Sequence, residues 1–172
     1  MIEFDINGEK ICIWKNEEVY EHVQSEYLEI KVPSGNSCWY NGTICMEVKL
    51  HPRHISNYAM LCIKYVPGKK AETNVRIYST EKIEFESKVL PFGRCIHIGL
   101  LKEFEEAIEE FFEGCSEEIL PSGSIEILYG GFDEVGSSKY SFKKAMELLV
   151  CIFQNIETVS EEELMQVLEK KL

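Results

Sequence analysis

Residues 124–153 read SIEILYGGFDEVGSSKYSFKKAMELLVCIF, and this stretch decides the fold. Ile125, Ile127 and Tyr129 alternate with Glu126 and Leu128, the period-2 pattern of a strand with one buried face. Gly130 and Gly131 follow and predict a corner, because glycine reaches backbone angles that other residues avoid. Ser137 or Ser138 then offers a hydroxyl to the free amides at a helix start. An apolar stripe through Phe142, Ala145, Met146 and Leu149 carries the helix to about residue 153.

Working outward, the chain before this unit reads mostly as strands. Ile2, Phe4 and Ile6 alternate, Asn7-Gly8 is a type I′ turn sequence, and Ile11 and Ile13 alternate on the return, so residues 2–13 predict a hairpin. Residues 17–31 fit either a helix or a strand. A second hairpin is expected with Cys38-Trp39-Tyr40 and Thr43–Leu50 flanking Asn41-Gly42, followed by a polar loop, HPRHISN, at 51–57. Tyr58–Val66 reads as a strand that Pro67-Gly68 ends, and residues 74–80 and 82–90 as two further strands or one long bent strand. Leu101, Phe104, Ala107, Ile108, Phe111 and Phe112 form the apolar stripe of a helix at about 98–113, with glutamates opposite and Gly114 as its C-terminal cap. Ser160 with Glu163 makes a capping box for a last helix. Early strands with late helices predict an α+β fold, an antiparallel or mixed sheet with helices packed on one face. The implied organisation is an N-terminal hairpin and connecting segment at 1–36, a main domain at 37–155 and a C-terminal helix at 156–172.

Composition narrows the functional classes. Thirty acidic against 18 basic residues give a net charge of −12. Phosphate backbones repel such a body, since nucleic-acid affinity comes largely from Lys and Arg neutralising phosphates. DNA is excluded as a partner, and any RNA contact is confined to a local basic patch, for which only the 51–54 loop, Lys139, Lys143 and Lys144 are available. No apolar run approaches the roughly 20 residues of a membrane helix. The N-terminus MIEFDINGEK has acidic residues where a secretory signal is basic and apolar. The chain therefore reads as soluble and cytoplasmic, without a membrane partner, and its sequence sets no oligomeric state. Seven cysteines, none in Cys-x-x-Cys spacing and most inside apolar runs, read as buried reduced thiols and not as a disulfide framework.

Each motif with chemical potential has a plainer structural reading. Gly136-Ser137-Ser138 at a helix start could hold a phosphate, which makes a small phosphate-binding enzyme the alternative reading. A plain N-cap is favoured by capping preference. His51 and His54 beside Arg53 lack a cysteine or carboxylate pair at ligand spacing, so neither metal nor cofactor is expected. Cys95 and His97 share one face of a strand, while Ile96 and Ile98 point the other way. The glutamates of 103–113 follow helical period and read as a solvated face.

The 124–153 unit resembles the second tip loop and following helix of elongation factor G domain IV. Gly130, Phe132, Glu134, Val135, Ser137, Ser138, Phe142 and Lys143 stand at positions matching that family's motif. The chain departs from it at Asp133, where the family has a tip histidine, and at Gly136, Lys139 and Ser141. HPRHISNYA stands where the family has its glycine-rich first tip loop, keeping Arg53 and Tyr58. The order of elements is similar from about residue 58 to 153. The resemblance implies a left-handed β-α-β unit and a non-catalytic, stand-alone protein that binds the ribosome or a translation factor. It implies tip-loop contacts through Arg53, His54, Tyr58, Phe132, Asp133, Ser137, Ser138 and Lys139. It carries no GTPase site, because no P-loop is present. An acidic adaptor that binds protein through strand edges or the C-terminal helix is the third reading.

Overall fold

The computed structural model describes residues 1–21, 26–51 and 57–170. Among these residues, nine strands and three helices follow in the order β1 (Ile2–Ile6), β2 (Glu9–Lys15), β3 (Tyr27–Pro33), β4 (Gly42–Lys49), β5 (Tyr58–Pro67), β6 (Glu72–Tyr78), β7 (Ile83–Glu86), β8 (Cys95–Ile98), α1 (Lys102–Gly114), β9 (Gly123–Phe132), α2 (Lys139–Asn155) and α3 (Glu161–Glu169). The strands form one sheet in the order β1-β2-β4-β5-β9-β6-β3, with β8 added to the far end of β9 and β7 to β8. Every pairing is antiparallel except β6 with β9, so the fold is α+β with a mostly antiparallel sheet.

Local signals account for many element boundaries. Asn7 and Gly8 both take positive φ, 53° and 89°, as a type I′ turn requires, and β1 and β2 close around them. Ser138 caps α2 by accepting from the Ser141 N–H, and Ser160 caps α3 in a full capping box with Glu163. Residues 27–33, which the sequence leaves between helix and strand, form β3.

Central strands are buried on both faces, because two apolar clusters sandwich the sheet. One joins Ile13, Ile44, Leu61, Ile63, Ile125 and Ile127 to the inner sides of all three helices. The other lies on the opposite face, where Trp14, Met60, Cys62 and Tyr129 meet Val89, Leu90, Ile96 and Ile98, with Val19 and Tyr20 packed against them. Helices thus cover one face, and the segment between β6 and α1 covers the other.

Four expectations are corrected. Tyr129 does not share a face with Ile125 and Ile127: Cys62 pairs with Tyr129 while Ile63 pairs with Ile127, so Leu128 is the extra residue of a β-bulge. The bulge turns Leu128 and Tyr129 together into the second cluster. Gly130 and Gly131 are not a corner but buried residues of β9, and their role is to leave space. A Cβ on Gly130 would stand 2.4 Å from Leu100 Cδ2, and one on Gly131 2.8 Å from Ile96 Cδ1.

Residues 38–40 do not form a hairpin with β4. Trp39 instead stacks on Phe153 at 5.0 Å and donates its indole N–H to the Ile119 carbonyl, while the Tyr40 N–H reaches the Phe153 carbonyl. This apolar docking site on the helices outweighs the local turn preference of Asn41-Gly42. The cysteines are not all reduced either. Cys45 and Cys62 stand directly opposite each other on β4 and β5 and form a disulfide. At the helices the differences are small. Residues 95–98 are strand, so α1 begins at Lys102, and its C-cap is Cys115 rather than Gly114.

Candidate functional site

The proposed tip assembles at one end of the sheet. The turn at 133–137 between β9 and α2 lies against the start of β5: the Asn57 and Tyr58 N–H groups both donate to the Gly136 carbonyl, each at 2.6 Å. The Ser137 hydroxyl accepts from the Asp133 N–H at 2.9 Å and donates to the Tyr58 carbonyl at 2.8 Å. The end of the 51–57 loop and the 133–137 turn are therefore joined, as the order of elements suggests. Arg53 and His54 lie outside the described residues.

A third turn, at the sequence break that Pro91 and Gly93 mark, completes this end. Pro91–Gly93 forms a single 3-10 turn leading into β8, and Arg94 Nη2 donates to Asp133 Oδ1 at 2.9 Å. His97 pairs with Glu134 at 3.2 Å and lies 5.6 Å from the Phe132 ring. Phe92 stands fully exposed at φ 61°, and Val135 is 66% exposed on the neighbouring turn. A bulky residue rarely adopts that φ, so the turn holds the aromatic outward at a local cost of about 1–3 kcal/mol. An aromatic flanked by Pro91 and Gly93 was the available signal, since such flanks place a side chain in a turn and not in a core.

The remaining sequence-predicted site residues have internal partners. Tyr58 is wholly buried and donates to Glu47 Oε1 at 2.6 Å. Phe132 is 2% exposed and packs into the helix-side core beside Phe104. Asp133 is 6% exposed and spent on Arg94 and the backbone of its own turn. The Ser138 hydroxyl caps α2, which is the N-cap reading of the Gly-Ser-Ser segment. Lys139 donates to Glu106 and Glu110 of α1, and these bonds hold its ammonium above the usual lysine range. Lys143 also pairs with Glu110, whose pKa is lowered by the hydrogen bonds from Lys143 and Lys139. Lys144 is buried against α3. The glutamate stripe of α1 is thus a counter-charge to α2, and the helix lysines do not combine into a free basic patch.

Among the described residues Glu47 is the one acidic residue fully buried in the sheet. It accepts from Tyr58, from the Lys88 N–H at 2.8 Å and from Ser87. Burial pushes its carboxyl above the usual range despite these donors, and burial pushes the Tyr58 phenol well up. With its acceptors satisfied, the carboxylate links β4, β5 and the crossing segment as a structural group. A cleft of about 490 Å³ separates the end of α1, α2 and α3, with Cys115 and Cys151 in its wall. Burial pushes Cys115 up to about 11 and raises Cys151 as well, which suppresses thiolate chemistry there. Cys95 and His97 form no hydrogen bond with each other among the described residues. No group of three or more metal-ligating side chains occurs among the described residues. No described helix is long and apolar enough to cross a membrane.

Compared with protein-family models, curated proteins and solved structures, the chain matches none of them.

Proposed function

We propose that the chain is a non-catalytic binding module that engages the translation apparatus, a ribosome or a translation factor, with the loop cluster at the tip. The observation that carries this reading is the exposed pair Phe92 and Val135, set on two turns that Arg94 and Asp133 tie together. Aromatic side chains, Phe among them, are enriched at protein interfaces relative to the rest of the surface. The groups that could have carried chemistry there, Asp133, Ser137 and Ser138, are committed to internal hydrogen bonds.

The finer reading of the fold, a left-handed β-α-β unit like elongation factor G domain IV, belongs to the same proposal. Its support is the parallel pairing of β6 with β9 across a connection that contains α1, and the meeting of the two loops at one end. Because Lys139 and Lys143 are neutralised by α1, the contact is with a protein surface of the ribosome or factor, not with its phosphates.

Co-sedimentation with ribosomes and pull-down against purified translation factors test this. Wild type should bind one of them, and Phe92→Gly with Val135→Ser should release it. Glycine suits φ 61°, so the turn survives while the anchor is lost. A wild-type chain that binds neither ribosomes at low salt nor any factor would remove the translation reading.

A further inference from the structure

The sheet ends in open edges. Among the described residues β1 hydrogen-bonds only to β2, β3 only to β6 and β7 only to β8, so each exposes a row of backbone donors and acceptors that another strand can pair with. A second copy of the chain is always available as that strand. An isologous pairing about a two-fold axis normal to the sheet keeps the helices of both copies on one side and sets each residue opposite its mirror position about a central residue.

This geometry discriminates between the edges. About Phe4 of β1, Glu3 meets Asp5 of the second copy, and about Glu3 or Asp5 each acid meets itself. About Phe85 of β7, Glu84 meets Glu86, and about Glu84 the acid again meets itself. Like charges directly opposite destabilise a pair, so these registers disfavour a second copy at both edges. In β3, with sequence YLEIKVP, the register about Ile30 places Glu29 opposite Lys31, Leu28 opposite Val32 and Tyr27 opposite Pro33, each twice. Shifting the centre to Glu29 or Lys31 brings like charges together. Of the registers centred on residues 29–31, the one about Ile30 is therefore favoured.

Burial agrees with the charges. Val32 is buried and Ile30 partly buried against the helix-side core, whereas Leu28, on the same face, is 43% exposed. Pairing about Ile30 sets Val32 of the second copy beside Leu28 and extends the apolar layer over it. On the other face Lys31 is exposed, and the Glu29 carboxylate is held by Asn74 and Arg76 of β6.

We infer that β3 is a homodimer interface, in which two copies join their sheets antiparallel about Ile30. This goes beyond the tip reading, since β3 is the outermost strand past β6 and takes no part in the tip contacts.

Sedimentation velocity across a concentration series tests it. Wild type should reach a dimer, and Lys31→Glu should weaken it about tenfold or more, because Glu29 then faces another glutamate in both cross-strand pairs. Glu29→Lys should do the same. An equimolar mixture of the two variants should restore the dimer, since each cross-pair is again of opposite charge. Thermal melts establish that each variant is folded. Should Glu29→Lys not fold, amide exchange decides: exchange in residues 27–33 should slow with concentration in wild type and not in Lys31→Glu. A wild type that stays monomeric at submillimolar concentration, a dimer indifferent to Lys31→Glu, or a mixture of folded variants that stays monomeric would each overturn the inference.

Discussion

Replacing Lys144 by methionine isolates a buried charge that serves packing. The Lys144 side chain is 1% exposed, and its ammonium donates to Glu147 Oε2 at 2.7 Å, to the Val167 carbonyl at 3.0 Å and to the Lys170 carbonyl at 2.6 Å. The two carbonyls are among those a helix leaves unsatisfied at its C-terminus, and a cation there also complements the helix dipole. Methionine fills a similar volume but returns none of the three bonds. Removing one partner of a buried pair costs about 3–5 kcal/mol. Glu147 is 21% exposed and regains water, which places Lys144→Met near the lower end, at about 3 kcal/mol. Against a total of about 5–15 kcal/mol this is a large loss, equivalent to lowering the melting temperature by about 6–12 °C. Urea unfolding followed by circular dichroism reads the total, and amide exchange over residues 161–169 should rise selectively as α3 loosens. Adding Glu147→Leu should recover part of the loss by removing the stranded carboxylate. A Lys144→Met protein within about 0.5 kcal/mol of wild type would refute the reasoning, because it would mean the ammonium is solvated.

Two further outcomes are expected. Glu47 has its folded pKa above the ordinary value of 4.5 because burial disfavours the carboxylate, so its contribution to stability is greatest when protonated and declines as pH rises through the raised pKa. Glu47→Gln cannot titrate; its stability deficit relative to wild type should shrink as pH rises above 4.5, and a deficit that grows instead would contradict the burial argument. For the cysteines, iodoacetamide should modify exposed Cys38 and Cys95 first in the native protein, with Cys12, whose thiol burial pushes up to about 12, among the slowest. Denatured without reductant the chain should take five labels, leaving Cys45 and Cys62 protected, and mass spectra showing seven would contradict the β4–β5 disulfide.

Much of the candidate site was hidden by its dependence on partners distant in sequence. The link from Asp133 to Arg94 joins residues 39 apart, and the pairing of Lys143 with Glu110 spans 33. From the sequence, Lys139, Lys143 and Lys144 read as the raw material of a basic patch. Only the packing of α1 on α2 shows that the charges of Lys139 and Lys143 are already matched, and only the packing of α3 on α2 shows that Lys144, paired with Glu147 of its own helix, is buried. Phe92 and Glu47 left traces that a sequence can carry, an aromatic between Pro91 and Gly93 and a lone acid inside the run Ile44–Val48. Neither trace tells whether the residue ends exposed or satisfied.

What the sequence determined by itself is the set of interactions that close within a few residues. The Asn7-Gly8 turn, the caps at Ser138 and Ser160 and the apolar period of α1 and α2 all act over one turn of chain, so their signals sit next to the structures they produce. The tertiary structure decided everything that depends on register between strands. One inserted residue, Leu128, reverses the faces of β9 beyond it and sends Tyr129 to the opposite core. The same pairing of β4 with β5 brings Cys45 to Cys62 across 17 residues. Gly130 and Gly131 read locally as a turn, yet they are strand because Leu100 and Ile96 press against them. Side-chain alternation has a period of two residues, so a shift of one changes every neighbour, and no local pattern records which shift the packed core selects.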